Sequence, residues 1–417
     1  MNPALRQALS EDATRLLLLV PDPHARFAAV ELASPFAAEA LDDGYGVCSY
    51  VFAWNPAREP LEAPELARYL GGYGDLRMCP DVGSAVFLGD RTWAVVCDAE
   101  WPSGEPAALA PRQILRERLA ALGKHGLTPS IGIEHEVVFR DSGGEPMTAH
   151  GVDYALGGTE PLAPLLRDLR GVLENAGLGV ESARAECHPG QYEIVLRHRN
   201  ALSACDDALL QQVLVRRAAA AHGVSADYLA APEPGRGNSC HVHLSLSTSD
   251  GVQAGIDGAL GGFLAGVLRD ARALTAFWAP TWNSYVRLRT APFSPRVLRW
   301  GADDRTAAVR LVGAGAAQRL EFRFAGADAQ PHLVVAALLA AGTAGIAEGL
   351  KPPPAGADLG ELASSPWEAL AELTGGRAAA LLGTDVVAHR AALLREELDA
   401  GLNAVTDWQR ARGALRS

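Results

Sequence analysis

The 417-residue chain is 48% hydrophobic and 21% charged, the balance of a folded globular protein and outside the range of disordered chains. Thirty-seven basic and 49 acidic side chains leave a net charge of −12, which argues against a nucleic-acid partner and leaves room for bound cations where acids cluster. At ~150 residues per domain the length suggests about two to three domains.

The leucine run at 16–20 follows the acids Glu11 and Asp12 instead of a basic start, so it does not read as a signal peptide. Residues 45–53 and 93–97 are β-branched and aromatic, and are expected as strands. Residues 101–111 carry prolines and a glycine and make a domain boundary, giving an N-terminal domain over 1–105 and a larger domain over 106–417. Helical patterns follow at 112–122, 162–176, 202–222, 260–277, 331–348, 367–373 and 386–400, alternating with short strands, and imply an α+β fold. The charge-free stretch 333–347 is shorter than the ~20 residues a bilayer requires, so no membrane association is expected. The six cysteines form no CxxC pair and read as reduced thiols, which points to the cytoplasm.

Titratable residues recur at strand spacing. In IGIEHEVVF, Glu134 and Glu136 project from one strand face. In ESARAECHPGQYE, Glu186 and Glu193 flank a Pro189-Gly190 turn, so both can face one cavity from a hairpin. In GRGNSCHVHLSL, His241, His243 and Ser245 share a face behind a glycine-containing loop. Arg287, Arg305 and Arg310 belong to a basic stretch, and RLEFRF places Arg319, Glu321 and Arg323 together. Each cluster alone fits an ordinary solvated surface. Glu134, Glu136, Glu186, Glu193, Glu321 and His241 together form a negative cluster too large to hold without cations, and Mg2+ or Mn2+ suits such ligands. The arginines supply the counterpart for an anionic substrate. A metal-bridged anion suggests a nucleoside triphosphate, although neither a Walker loop nor a Rossmann fingerprint is present.

The motifs GIEHE, ECHPGQYE, HVHLSL, NSYVRL, DRTAAVRL and RLEFRFxxADxxP follow one another in the order of the glutamine synthetase family, which the chain resembles closely from Pro111 onward. Before it the match is diffuse, where Cys79-Pro80-Asp81 and Ser84 are similar to the family's PDxxT stretch. The resemblance implies an N-terminal β-grasp domain and a catalytic domain with a curved antiparallel sheet. Carried over position by position, it assigns Glu136, Glu186 and Glu193 to one divalent ion and Glu134, His241 and Glu321 to a second, with about two to three ions per site. Glu181, His243, Ser245, Arg310 and Arg319 fall on ATP-contacting positions. Gly237, Arg287 and Arg323 fall on positions that hold glutamate, and Arg305 on the one that stabilises the transferring phosphoryl group. The implied chemistry is ATP-dependent, through a γ-glutamyl phosphate. The implied assembly is a homo-dodecamer of two stacked hexameric rings, with sites between subunits.

The sequence departs from ammonia-using members of that family. Residues 289–295 (RTAPFSP) lack the flap glutamate, and Phe293 stands near its place. Tyr50 stands where the neighbour's aspartate is expected, and Arg236 replaces an asparagine before Gly237. A site stripped of anions binds bare ammonium poorly, whereas Tyr154, Phe293 and Tyr50 offer cation–π attraction to an organic amine, with Glu186 remaining as the anion. The expected activity is therefore a glutamate–amine ligase. The alternatives are an ammonia-dependent glutamine synthetase using Asp303 or Asp304 in place of the flap acid, and a non-catalytic binding protein.

Overall fold

Alternating apolar runs form two sheets in the computed structural model, which describes Leu5 and residues 14–416. Glu11 and Asp12 lie outside the described residues. The first sheet comprises β1 (Arg15–Pro21), β2 (Phe27–Ala33), β3 (Tyr45–Cys48), β4 (Asp75–Pro80), β5 (Val86–Phe87) and β6 (Thr92–Glu100). Its order is β2-β1-β6-β4-β3 with β5 beside β6, and the central β1 and β6 run parallel. β1 is almost wholly apolar because both faces are covered. Leu16, Leu18 and Val20 enter the small sheet's own core, while Leu19 faces the larger domain. The helix Ser34–Asp43 stops at Gly44, at φ 79°, where a Cβ would come 2.5 Å from the Met78 carbonyl.

The second sheet comprises β7 (Leu127–Arg140), β8 (Val180–Ala185), β9 (Gln191–Leu196), β10 (Arg199–Asn200), β11 (Ser225–Asp227), β12 (Cys240–Thr248), β13 (Trp300–Ala302), β14 (Val309–Val312) and β15 (Arg319–Phe322). The order is β13-β14-β15-β12-β7-β9-β8, with β10 and β11 also on β7, and only β13 and β14 are parallel. One face of this curved sheet carries Ile131, Ile133, Val242, Leu244, Leu320 and Phe322 into the main core. The helices Pro111–Gly123 and Ala259–Asp270 pack against that face, and the helix Pro331–Ala347 packs on both of them and is buried along most of its length, which accounts for its lack of a polar side. No helix among the described residues is long and apolar enough to cross a membrane.

The two sheets meet through a mixed apolar cluster and one buried cation. Leu19, Ala94 and Val96 pack with Val137, Phe139 and Tyr192. Arg112, 1% exposed, reaches Asp98 of β6 and Asp81, just past the end of β4, at 2.8 Å each and Asp206 at 2.9 Å.

Two expectations need correction. The strand expected over 45–53 ends at Cys48 and gives way to a 3-10 turn at Ser49–Phe52. There the Ala53 amide donates back to the Tyr50 carbonyl at 2.8 Å, closing a turn where the strand pairing stops, and Ser49 Oγ donates to the Tyr69 carbonyl at 2.6 Å. The helix expected over 260–277 breaks into Ala259–Asp270 and Thr275–Trp278. At the break the Thr275 hydroxyl donates to the Arg272 carbonyl at 2.9 Å, a local bond that competes with helix continuation.

Candidate active site

Strand register brings the polar residues together. Glu136 of β7 lies opposite Glu193 of β9, which lies opposite Arg184 of β8. On the other side of β7, Glu134 lies opposite His241 of β12, and His243 lies opposite Glu321 of β15, itself opposite Arg310 of β14. Because side chains alternate, this row occupies the face away from the main core. It lines a cavity of about 490 Å³ whose remaining walls include Asp153, Tyr154, Gly237, Phe293 and Arg305.

The acids converge closely enough to hold divalent ions. Ligand atoms of Glu134, His243 and Glu321 lie within 4.8 Å of one another, as do those of Glu134, Glu193 and His241. His243 Nε2 is 2.9 Å from Glu134 Oε1, and His241 Nδ1 is 3.6 Å from both Glu134 Oε2 and Glu321 Oε1. His241 Nε2 is buried with no hydrogen-bond partner. Oxygen and imidazole donors with an unsatisfied nitrogen fit a hard divalent cation. These triads share Glu134 and divide the residues differently from the expected sets, with His243 joining the carboxylates.

Electrostatics at the site follow from crowding. Burial, followed by the charge of Glu134, pushes the Glu193 carboxyl above its ordinary range, and the Arg184 ion pair only partly offsets this. Burial and the charge of Glu136 raise Glu186 as well. Burial also works against the charged form of Glu134, but hydrogen bonds to His241 and His243 override it and hold the carboxyl below the usual range. For Glu321 the nearby His241 and Arg323 likewise outweigh burial. Glu136 is anchored by the Ser239 amide at 2.7 Å and Gln191 Nε2 at 3.0 Å.

The arginines differ in availability. Arg305 is exposed on the cavity wall and forms no ion pair with a described residue. Arg319 Nε meets His243 Nδ1 at 3.2 Å, Arg310 bridges Asp303 and Glu321, and Arg323 also pairs with Glu321. Arg287 is 1% exposed and spends its fork on the Phe324 and Arg323 carbonyls and Ser239 Oγ. Burial lowers its guanidinium to about 10. Gly237 lies against it, and a Cβ there would meet Arg287 Cγ at 3.3 Å.

Of the residues singled out from sequence, Glu181, Ser245 and Tyr50 do not line this cavity. Glu181 is exposed near the start of β8, and Ser245 lies further along β12, opposite Ser130. Tyr50 belongs to the small domain, where its ring meets Trp54 and Tyr73 edge-on. Tyr154 and Phe293 stand at the rim, 68% and 63% exposed. Sequence reading missed Arg184, which reaches Glu186 and Glu193 at 2.8 Å each and lies 5.5 Å from the Tyr154 ring centre. Its spacing of two from Glu186 was the available signal. Asp153, Gln191 and Ser239 were missed too, and only tertiary contact reveals them.

An acid-lined cavity with convergent arginines on a curved antiparallel sheet is the site of a ligase that handles phosphate beside divalent ions. The chain belongs to the glutamine synthetase family of ATP-dependent carbon–nitrogen ligases: the family model for the glutamine synthetase catalytic domain matches residues 108–412. Among its relatives, a γ-glutamylethanolamide synthetase of Streptomyces coelicolor is 38% identical over 431 aligned positions, covering 97% of this chain and 93% of the relative. A glutamate–isopropylamine ligase of a Pseudomonas species is 33% identical, covering 76% of this chain and 74% of its own. The ADP complex of GmaS superposes with TM-score 0.86 at 25% identity over the full length of both chains.

Proposed function

We propose that this protein condenses the γ-carboxylate of glutamate with an organic amine at the expense of ATP. The observation that carries this reading is the rim segment Ala291–Pro292–Phe293–Ser294, which faces the cavity without an acid and presents an aromatic ring. Relatives that act on ethanolamine and isopropylamine support it.

In the first step a γ-carboxylate oxygen attacks the γ-phosphorus of ATP, ADP leaves and an acyl phosphate forms. In the second the amine nitrogen attacks the acyl carbon, phosphate leaves and the nitrogen loses its proton. Glu134, Glu136, Glu186, Glu193, His241 and Glu321 would hold about two to three Mg2+ or Mn2+ ions, with His243 available beside them. Bound there, such ions neutralise phosphate charge and align the transferring group. Arg305 is free to follow the phosphoryl group, while Arg310 and Arg319 steer the phosphates. Gly237, Arg287 and Arg323 shape the glutamate end. Glu186, with its raised carboxyl, receives the amine's proton, and the Tyr154 and Phe293 rings hold the amine before attack.

Tyr50 completes the amine pocket from a neighbouring subunit of a stacked-ring dodecamer in this reading, and Glu181 and Ser245 serve the nucleotide. The division into domains at 105/106 accords with the two sheets, and a cytoplasmic setting with reduced cysteines. Ammonia-dependent synthesis through Asp303 or Asp304 is less well supported. Asp303 is tied to Arg310, Asp304 to Thr306, and neither faces the cavity. ADP release measured with glutamate and a panel of amines tests the proposal: ammonium exceeding every organic amine overturns it. Absence of metal-dependent ATP turnover would favour a binding-only protein.

A further inference from the structure

Three carboxylates of the active-site row are held by two kinds of donor. Glu136 accepts from neutral groups, the Ser239 amide at 2.7 Å and Gln191 Nε2 at 3.0 Å. Glu186 and Glu193 are held by charge. The Arg184 guanidinium meets Glu186 Oε1 through its Nε and Glu193 Oε1 through a terminal nitrogen, at 2.8 Å each. Among the described residues no other cation pairs with either carboxylate.

Glu186 and Glu193 belong with Glu136 to one of the ligand sets proposed above. Yet the oxygens of these three do not converge within 4.8 Å as the ligand atoms of the other two triads do. The bridging guanidinium accounts for this, because it occupies one oxygen of each carboxylate. A guanidinium and a divalent ion seek the same oxygens and repel each other, so they compete for the pair. Arg184 also has a second resting place. Its side chain is 39% exposed, and its guanidinium carbon lies 5.5 Å from the centre of the Tyr154 ring, whose face attracts a cation.

We propose that Arg184 is a positioning residue that trades places with a divalent ion. It bridges Glu186 and Glu193 while the ion is in solution, and it withdraws to the Tyr154 ring and solvent when both carboxylates turn to the ion. Arg184 thereby lowers the affinity of this one set while keeping its acids compensated. A purely orienting role has the opposite sign, since loss of an outer hydrogen bond to a ligand ordinarily weakens metal binding.

The inference rests on the reading that Glu186 and Glu193 are metal ligands and is independent of which amine the ligase uses. Mn2+ titration of the full-length protein without nucleotide or glutamate, followed by the electron paramagnetic resonance of the free ion, tests it. Arg184→Gln is expected to bind one Mn2+ per chain at least about tenfold more tightly than the parent, the scale of two partly exposed ion pairs. Arg184→Lys, which keeps a cation, is expected to stay within about threefold of the parent. After EDTA treatment Arg184→Gln should melt below the parent, and saturating Mn2+ should raise its thermal midpoint by more. A role in stability alone lowers the midpoint without tightening Mn2+ binding.

Glu193→Gln tests the underlying reading and is expected to weaken Mn2+ binding both in the parent and beside Arg184→Gln. Unaltered Mn2+ affinity in Glu193→Gln removes the ligand assignment, and the exchange with it. With that assignment intact, equal or weaker Mn2+ binding by Arg184→Gln overturns the exchange alone, as does Arg184→Lys binding Mn2+ as tightly as Arg184→Gln.

Discussion

His243 Nε2 lies 2.9 Å from Glu134 Oε1, so two strands that are neighbours in the sheet but more than a hundred residues apart in the chain bring their polar side chains to one point. Glu134 belongs to both ligand triads. Glu134→Gln is therefore expected to weaken Mn2+ binding at least about a hundredfold and to reduce ADP release in parallel. Titration of the Mn2+-dependent rise in thermal midpoint reads the first effect. A variant that binds Mn2+ like the parent protein would remove Glu134 from the ligand set. Treatment with EDTA should abolish turnover of the parent protein, and added Mg2+ or Mn2+ should restore it.

Arg305 offers the opposite case, an exposed side chain without an ion pair to any described residue. Its replacement by alanine should alter stability by no more than about 0.5 kcal/mol, the range of ordinary surface changes. The kcat, in contrast, is expected to fall about a hundredfold to a thousandfold with little change in the KM for glutamate, since the role proposed for the guanidinium is on charge that develops in the transition state. Steady-state kinetics beside urea unfolding separates the two. A loss confined to KM would make Arg305 a ground-state contact.

How far the site could be read in advance depended on strand alternation. Glu134 and Glu136, or His241 and His243, declare a shared face through spacing alone, and the motif order named the fold. Register is another matter. Nothing local states that Glu193 pairs across to Arg184, or that Glu321 stands opposite both His243 and Arg310. For Arg184, spacing points to Glu186 alone, and the pairing with Glu193 comes only with the register. The resemblance puts Arg287 at a glutamate-holding position, and its burial among the Phe324 and Arg323 carbonyls is a tertiary fact that spacing does not carry. Tyr50 does not line this chain's own cavity, so the role proposed for it requires a neighbouring subunit.

Phe293 allows a direct test of amine choice. Phe293→Ala should raise the KM for organic amines about fivefold, the equivalent of ~1 kcal/mol of cation–π attraction at an exposed ring. Phe293→Glu restores an acid to the rim and is expected to raise activity with ammonium relative to the parent protein. Unchanged amine preference in both variants would show that selection occurs elsewhere in the cavity.

Arg112 should dominate the stability of the junction between the sheets. It is 1% exposed and joins Asp81, Asp98 and Asp206, of which Asp206 is itself buried and also touches His332 at 2.9 Å. Removing the cation leaves Asp206 without it in a low-dielectric setting, so Arg112→Met is expected to destabilise by about 3–5 kcal/mol. Urea unfolding measures this. A loss below about 1 kcal/mol would mean that the aspartates are relieved by protonation or solvent.

His389 predicts the direction of acid sensitivity. Burial, reinforced by the neighbouring charge of Arg390, holds its imidazole down at about 3 in the folded protein. In the unfolded chain the same ring titrates near ~6.5. As pH falls below that value the unfolded state gains a proton that the folded state refuses. The stabilising contribution is thus fully present above about pH 6.5 and is lost progressively toward pH 3. The slope approaches ~1.4 kcal/mol per pH unit for this one group. Urea midpoints of the parent protein and of His389→Phe, compared between pH 7 and pH 5, isolate it from the carboxylates common to both. The parent is expected to lose up to about 2 kcal/mol more than the variant across that interval, and equal losses would place the acid sensitivity on other groups.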